Sequence, residues 1–169
     1  MVAGTDEPAF LSDCPEVVRD FYRYWDGKRR GRLMPARADL DPGEIKSLLP
    51  NMIIVDVVPD ERRFVYRLVG TMEVEVRGND PTGKTVLEAA FPGSRERVTG
   101  NRVSAPANRE GAVGNYERVV RERAPWRHDL HAESPDGRLI DAIVLFLPLS
   151  DDGETVNKIV VYSHQVRQY

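Results

Sequence analysis

The sequence predicts an α+β domain, with a five-stranded antiparallel sheet, short helices on one face of that sheet and an N-terminal flanking helix. Three observations predict it. Two β-branched and aromatic runs occur early in the chain, three more occur at its end, and Gly and Pro interrupt short helical turns between the two groups. A chain of 169 residues is long enough for one compact core and needs no second core.

The first predicted element is an apolar helix from Glu16 to Asp26. Asp13 and Glu16 fit a capping box before it, and Gly27 can end it. Apolar side chains recur inside it at a spacing of three to four residues, so they form one face. This face either packs on its own domain or forms the seam of a homodimer, which its aromatic bulk favours. The predicted seam consists of Val17, Phe21, Tyr24 and Trp25.

The chain divides into three predicted parts. Residues 1–27 are expected to form a disordered arm and the flanking helix, residues 28–50 a linker loop and a short helix, and residues 51–169 the sheet domain. A second capping box, Asp41 with Glu44, predicts the start of the short helix in the linker.

Five strands are predicted. The first two, at residues 52–58 and 63–69, form a hairpin in which Phe64, Tyr66 and Leu68 share the inward face. A helix is predicted at residues 111–123, because its apolar side chains form a stripe along one side. Pro125 ends this helix. Three strands joined by Asp- and Gly-rich turns then follow, at residues 126–134, 138–149 and 155–166.

One motif competes with this interpretation. The residues from Gly78 to Thr85 satisfy the pattern G-x-x-x-x-G-K-T of a nucleotide-binding loop. Such a loop needs a buried parallel strand before it and consecutive backbone N–H groups to hold phosphates. Here Glu73, Glu75 and Arg77 precede the loop, and Pro81 removes one N–H group. The string is therefore better explained as a turn between short helices.

Composition limits the partners. The formal net charge is −3, from 24 Lys and Arg residues against 27 Asp and Glu residues, so the sequence predicts neither nucleic-acid binding nor membrane binding. The longest apolar run, Ala142 to Leu147, is too short for a membrane helix, and we expect a cytoplasmic protein. Cys14 is the only cysteine, which excludes an internal disulfide.

No catalytic constellation emerges from the sequence, and we expect no enzyme. His128 and His131 are three residues apart on a strand, which places them on opposite faces, so a shared metal ion is not predicted. Asp151 and Asp152 belong to a turn, where Asp is favoured for structural reasons.

Four strings carry a resemblance to a known family. They run from Tyr24 to Pro50, from Phe64 to Thr71, from Gly78 to Glu88 and from Leu147 to Val161. They include a Gly-Thr step after the second strand and a G-x-D-x-T-G string. With the order of elements, they make residues 16–166 similar to a bacterial family of stand-alone PAS-like proteins, although residues 97–114 depart from it.

The resemblance implies a sensor. PAS domains bind small molecules or cofactors between helices and sheet, and they dimerise, often through a helix before the first strand. The resemblance implies no particular cofactor. We therefore expect a sensory module that binds a small molecule or a signalling protein, and a pocket lined by Tyr66, Leu68, Met72, Val76, Leu87, Tyr116, Trp126, Leu145 and Val161. The alternatives are a protein-interaction scaffold with a filled core and, less favoured, a nucleotide-binding protein using residues 78–85.

Overall fold

The computed structural model describes residues 7–89, 98–99, 102–103, 109–134 and 136–168. The helices are α1 (Glu16–Arg29), α2 (Thr71–Arg77), α3 (Val86–Ala89) and α4 (Arg109–Glu122). The strands are β1 (Met52–Val57), β2 (Phe64–Val69), β3 (Val98–Thr99), β4 (Arg102–Val103), β5 (Trp126–Glu133), β6 (Leu139–Leu149) and β7 (Lys158–Gln168). Single turns of 3₁₀ helix lie at Ala9–Leu11, Arg37–Asp39, Pro42–Glu44 and Leu49–Asn51.

Five strands form one antiparallel sheet in the order β2-β1-β7-β6-β5, and β3 pairs with β4 separately. The predicted fold class is confirmed. The β-branched and aromatic runs form the strands because such side chains pack well on a pleated surface. Residues 90–97, 100–101 and 104–108, which belong to the predicted region of short helical turns between the two groups of strands, lie outside the described residues.

Helices cover one face of the sheet, which we call the α4 face. Tyr116 of α4 contacts Phe64 of β2 and Phe146 of β6, with ring centroids 5.4 and 5.1 Å apart. Val161 of β7 pairs with Phe146 and therefore points to the same side. The α4 face is where the resemblance places a ligand.

The opposite face, which we call the α1 face, is covered by the N-terminal segment of the same chain. Phe21 of α1 stacks on Tyr162 of β7 with ring centroids 5.0 Å apart, and Trp25 donates a hydrogen bond of 2.9 Å to the carbonyl of Pro148. Both Phe21 and Trp25 are 1% exposed. The helix therefore packs on its own sheet, which is the first of the two alternatives that its apolar face leaves open.

Two details of α1 differ from prediction. Pro15 occupies the cap position without a side-chain hydrogen bond, because Asp13 instead pairs with Arg127 of β5. The helix also continues past Gly27 to Arg29 and ends at Arg30, which is in the left-handed conformation.

The short helix predicted in the linker begins as expected but is a single 3₁₀ turn, Pro42–Glu44. Asp41 caps it by accepting a hydrogen bond from the Gly43 amide.

A β-bulge changes the direction of one predicted side chain. Ile54 pairs with Leu68, whereas the next residue, Val55, pairs with Tyr66, so β2 contains one extra residue, Arg67. Because a bulge interrupts alternation, Leu68 lies on the α1 face with Ile54 and not beside Tyr66. The expectation that Phe64, Tyr66 and Leu68 share a face is therefore wrong for Leu68.

One hydrophobic core joins the three parts into which the sequence was divided. It contains Leu11 and Trp25 from the first part, Met34 and Ile45 from the second, and strand residues from the third. The boundaries at residues 27 and 50 stay a prediction. None of the helices in the described part of the chain has the length and apolar character to cross a membrane.

Candidate functional site

Five polar side chains cluster on the α4 face, between the sheet and helices α2 and α4. We call Tyr66, Glu73, Arg77, Tyr116 and Ser163 the polar cluster. Four of them are at most 6% exposed, and Arg77 is partly buried. Buried polar groups at this density need partners, since each unsatisfied one costs about 1–3 kcal/mol.

Helix α2 positions two members of the cluster. Glu73 and Arg77 are four residues apart and therefore lie on one side of the helix, together with Val76. The Arg77 guanidinium lies 5.3 Å from the centroid of the Tyr66 ring, and its Nη1 donates a hydrogen bond of 3.1 Å to the Ala89 carbonyl. Arg77 thus connects α2 with both the sheet and the end of α3.

Tyr116 brings an aromatic wall and a phenol to the site. Burial raises the pKa of Tyr116 well above its usual range, the neighbouring Tyr66 raises it further, and Arg77 opposes this shift. Tyr116 is therefore a neutral phenol at physiological pH, and it can both donate and accept a hydrogen bond.

Glu73 is the unusual member of the cluster. Its side chain is 5% exposed, and no described residue makes a hydrogen bond with its buried Oε1 atom. Burial raises the pKa of Glu73 above its ordinary value, while Arg77 and the hydroxyl of Ser163 lower it by less. A buried carboxyl with a raised pKa can exist in the protonated form and then acts as donor as well as acceptor.

The structure brings together only part of the predicted pocket. Tyr66, Val76, Tyr116 and Val161 are buried on the α4 face, and Trp126 lies half-buried beside them, where its Nε1 donates to Asn115. Three further predicted residues lie elsewhere or on the surface. Leu145 pairs with Tyr162 and so faces α1, Leu68 faces α1 through the bulge, and Leu87 is 53% exposed. Met72 is half-buried on α2.

The string that resembles a phosphate-binding loop uses its amides within the chain. The Gly83 amide donates to the Tyr66 carbonyl, the Lys84 amide to the Pro81 carbonyl, and the Thr82 amide to the Asp80 side chain. The Thr85 amide donates to Glu88. These N–H groups are therefore occupied and do not form the open cradle that a phosphate needs.

A family model described as a PAS domain matches residues 15–161, which is most of the chain. The chain belongs to the PAS domain family. The match includes α1 and the segment before β1, in agreement with their packing on the sheet. PAS domains in general are sensory modules.

Solved structures with the same fold support the assignment at the level of architecture. A light-oxygen-voltage domain, studied with a flavin analogue, superposes with a TM-score of 0.53 at 13% identity, over 74% of this chain and 83% of that one. The PAS domain of the fruit-fly ELK potassium channel gives a TM-score of 0.50 at 5% identity, over 73% and 92% of the two chains. No curated protein matches the chain.

Sequence reasoning missed Glu73, Arg77 and Ser163 of this PAS domain. It treated the alternation of charges over residues 73–77 only as evidence against a buried strand. The signal that could have found the first two was their spacing of four residues around the apolar Val76, which places them on one side of a helix. Ser163 gave no such signal, because it is a single small polar residue in an apolar strand.

Proposed function

We propose that this PAS domain is a sensory module that binds a small molecule between the α4 face and helices α2 and α4. The observation that carries the proposal is the Glu73 carboxyl, which is buried while its Oε1 atom has no partner among the described residues. A ligand group bonded to Oε1 would remove the cost of that unsatisfied atom. Glu73 is therefore the proposed polar anchor of the site.

The surroundings of Glu73 support a ligand with an apolar body and one hydrogen-bonding group. Tyr66 and Tyr116 offer aromatic surfaces, and Val76 and Val161 are aliphatic, so most of the contact area is apolar. Trp126 lies farther along the α4 face, where the Arg118 guanidinium stacks on its ring at 3.6 Å. Cys14, the only thiol of the chain, contacts Arg127 on the α1 face, so no thiol belongs to the proposed site.

Native mass spectrometry of the purified full chain, compared with its denatured mass, tests the proposal. We expect a retained small molecule in the wild-type protein and its loss in Glu73→Leu, since an apolar side chain can neither donate nor accept the hydrogen bond. The matched control is Glu75→Leu, which changes an exposed side chain of the same helix and should keep the molecule. Equal retention in both variants would exclude Glu73 as the anchor.

A second candidate function is a protein-interaction scaffold with a filled core. The packing of Tyr116 between Phe64 and Phe146 favours it, because these rings occupy much of the space between α4 and the sheet. Native mass spectrometry also separates the two candidate functions, since a scaffold with a filled core would retain no small molecule, either as the wild type or as a variant.

We further propose that the signal leaves the domain through dimerisation or contact with a signalling protein. For a homodimer through α1, the available surface is smaller than the sequence suggested. Phe21 and Trp25 are covered by the sheet of the same chain, and the Tyr24 hydroxyl is bonded to Glu44. Val17, which is partly buried, is the remaining apolar member of the predicted seam.

A further inference from the structure

The α1 face carries a groove that is separate from the polar cluster. The 3₁₀ turns before β1 form one wall, and β1 and β2 form the floor, with Leu40, Ile45, Ile54 and Leu68 among the lining residues. Its volume is about 400 Å³ and it is partly open to solvent. Small-molecule sites have volumes of about 300–1,000 Å³ and are mostly apolar, so this groove has the size and the lining of one.

The bulge in β2 makes this groove apolar. If β2 alternated regularly, without a bulge, Leu68 would share the α4 face with Tyr66, and Arg67 would lie opposite Ile54 in its place. With the bulge, Leu68 pairs with Ile54 and is 40% exposed at the floor of the groove. An apolar side chain is thus presented to solvent at a concave position, where a ligand would cover it.

The charged side chains that line the groove are all positive. Among the described residues that line it, Arg37 and Lys46 are the charged ones, and no carboxylate lines it. Neither cation forms an ion pair with another described residue: Arg37 Nη1 donates to the Leu40 carbonyl at 3.2 Å, and Lys46 is exposed. The neighbouring Glu44, which could have neutralised them, is bonded to Lys28 instead.

We propose that this groove binds a small soluble amphiphile with an apolar body and a single carboxylate head. Leu40, Ile45 and Leu68 receive the apolar body, and Arg37 and Lys46 receive the head. A carboxylate fits better than a neutral polar head, because Arg37 and Lys46 make no ion pair with a described residue and no carboxylate lines the groove beside them. The site lies across the sheet from the proposed Glu73 site and does not depend on it.

Titration of the full chain with decanoate, followed by ¹H–¹⁵N NMR below the concentration at which decanoate forms micelles, tests the proposal. We expect amide shifts concentrated in residues 37–54 and 68–71. Neutral 1-decanol should bind more weakly. The charge reversals Arg37→Glu and Lys46→Glu should each weaken decanoate binding by about fivefold or more, while leaving 1-decanol binding unchanged.

Two further variants make the test specific. Lys84→Glu reverses an exposed lysine outside the groove and should bind decanoate like the wild type. Leu68→Trp places a larger side chain at the groove floor and should abolish binding of both probes, with thermal unfolding measured to show that the variant is folded. Equal binding of decanoate by Leu68→Trp, or shifts confined to α2 and α4, would overturn the proposal.

A membrane surface is a different occupant, and a separate arm distinguishes it. Vesicles of phosphatidylcholine containing phosphatidylglycerol are sedimented with the protein. Co-sedimentation without any NMR response to decanoate would contradict the proposal, because it would mean that the two cations recognise a lipid surface. A response to decanoate without co-sedimentation supports it.

Discussion

Gly70 lies where two backbone segments approach too closely for any side chain. A Cβ atom built there would be 2.3 Å from the Pro50 carbonyl oxygen and 2.5 Å from that of Leu49, and the Gly70 amide donates to the Met52 carbonyl at 2.7 Å. The backbone of Gly70 itself is extended, with φ −65°. The glycine of the Gly-Thr step is therefore required by packing and not by a special conformation.

We predict that Gly70→Ala destabilises the domain by about 1–3 kcal/mol or more, because either the end of β2 or the turn at residues 49–51 must move to admit the methyl group. The measurement is the free energy of unfolding in urea. Gly27→Ala is the matched control: Gly27 is inside α1 with open space around it, so alanine there should stabilise the domain by about 0.5–1 kcal/mol.

Glu73 makes stability depend on pH. Because burial raises its pKa above the ordinary 4.5, the folded state binds a proton at Glu73 more tightly than the unfolded state does. Stability associated with Glu73 is then fully present below the ordinary pKa and is lost as pH rises through the raised one. We predict that wild-type stability falls relative to that of Glu73→Gln as the pH is raised from below 4.5 to neutrality and above.

Thermal or urea unfolding across that pH range measures the difference between the two proteins. Glu75→Gln on the exposed side of α2 is the control for removing a carboxyl from the helix. If the stability difference for Glu73→Gln stays constant over the range, the assignment of the raised pKa is wrong.

At the scale of elements, α1 is part of the hydrophobic core and not an appendage. Trp25 is 1% exposed, and its indole N–H is bonded to the Pro148 carbonyl of β6. We predict that Trp25→Ala lowers the free energy of unfolding by about 3–5 kcal/mol, the usual cost of removing a buried aromatic side chain.

The same variant also tests the predicted homodimer seam. Since Trp25 packs within its own chain, we expect the mass in solution, measured by light scattering, to be the same for Trp25→Ala and the wild type. Tyr24→Phe is the control on the adjacent position, where an exposed hydroxyl is bonded to Glu44 and its loss should cost less than about 1 kcal/mol. A change from dimer to monomer in Trp25→Ala would show that the residue belongs to the seam.

At the scale of the molecule, the order of elements could be predicted, because each strand is a β-branched or aromatic run with turn residues at its ends. The face of the sheet on which the Leu68 and Leu145 side chains lie could not be predicted. The bulge that reverses Leu68 has no signature in the sequence around it. Leu145 lies in a strand whose residues 142–149 are all buried, since α1 covers one face and α4 the other, so no alternation marks the two sides.

The polar cluster was harder to predict than the sheet for a related reason. The predicted pocket was assembled from apolar residues, and it found Tyr66 and Tyr116 because aromatic side chains fit that description. Glu73 fits it poorly, since a carboxylate is expected at the surface. Its burial is decided by where α2 lies on the sheet, and that position depends on contacts between residues far apart in the chain.

The turn from Gly78 to Thr85 has a consequence for how this domain behaves in a concentrated solution. Strand β2 is an edge strand of the sheet, and unpaired N–H and C=O groups on such a strand can pair with a strand of another chain. The turn lies along that border: the Tyr66 amide donates to the Lys84 carbonyl, and Val65 pairs with Thr85. Residues 78–85, which resemble a nucleotide-binding loop, therefore occupy part of the β2 edge and hinder its pairing with a strand of another chain.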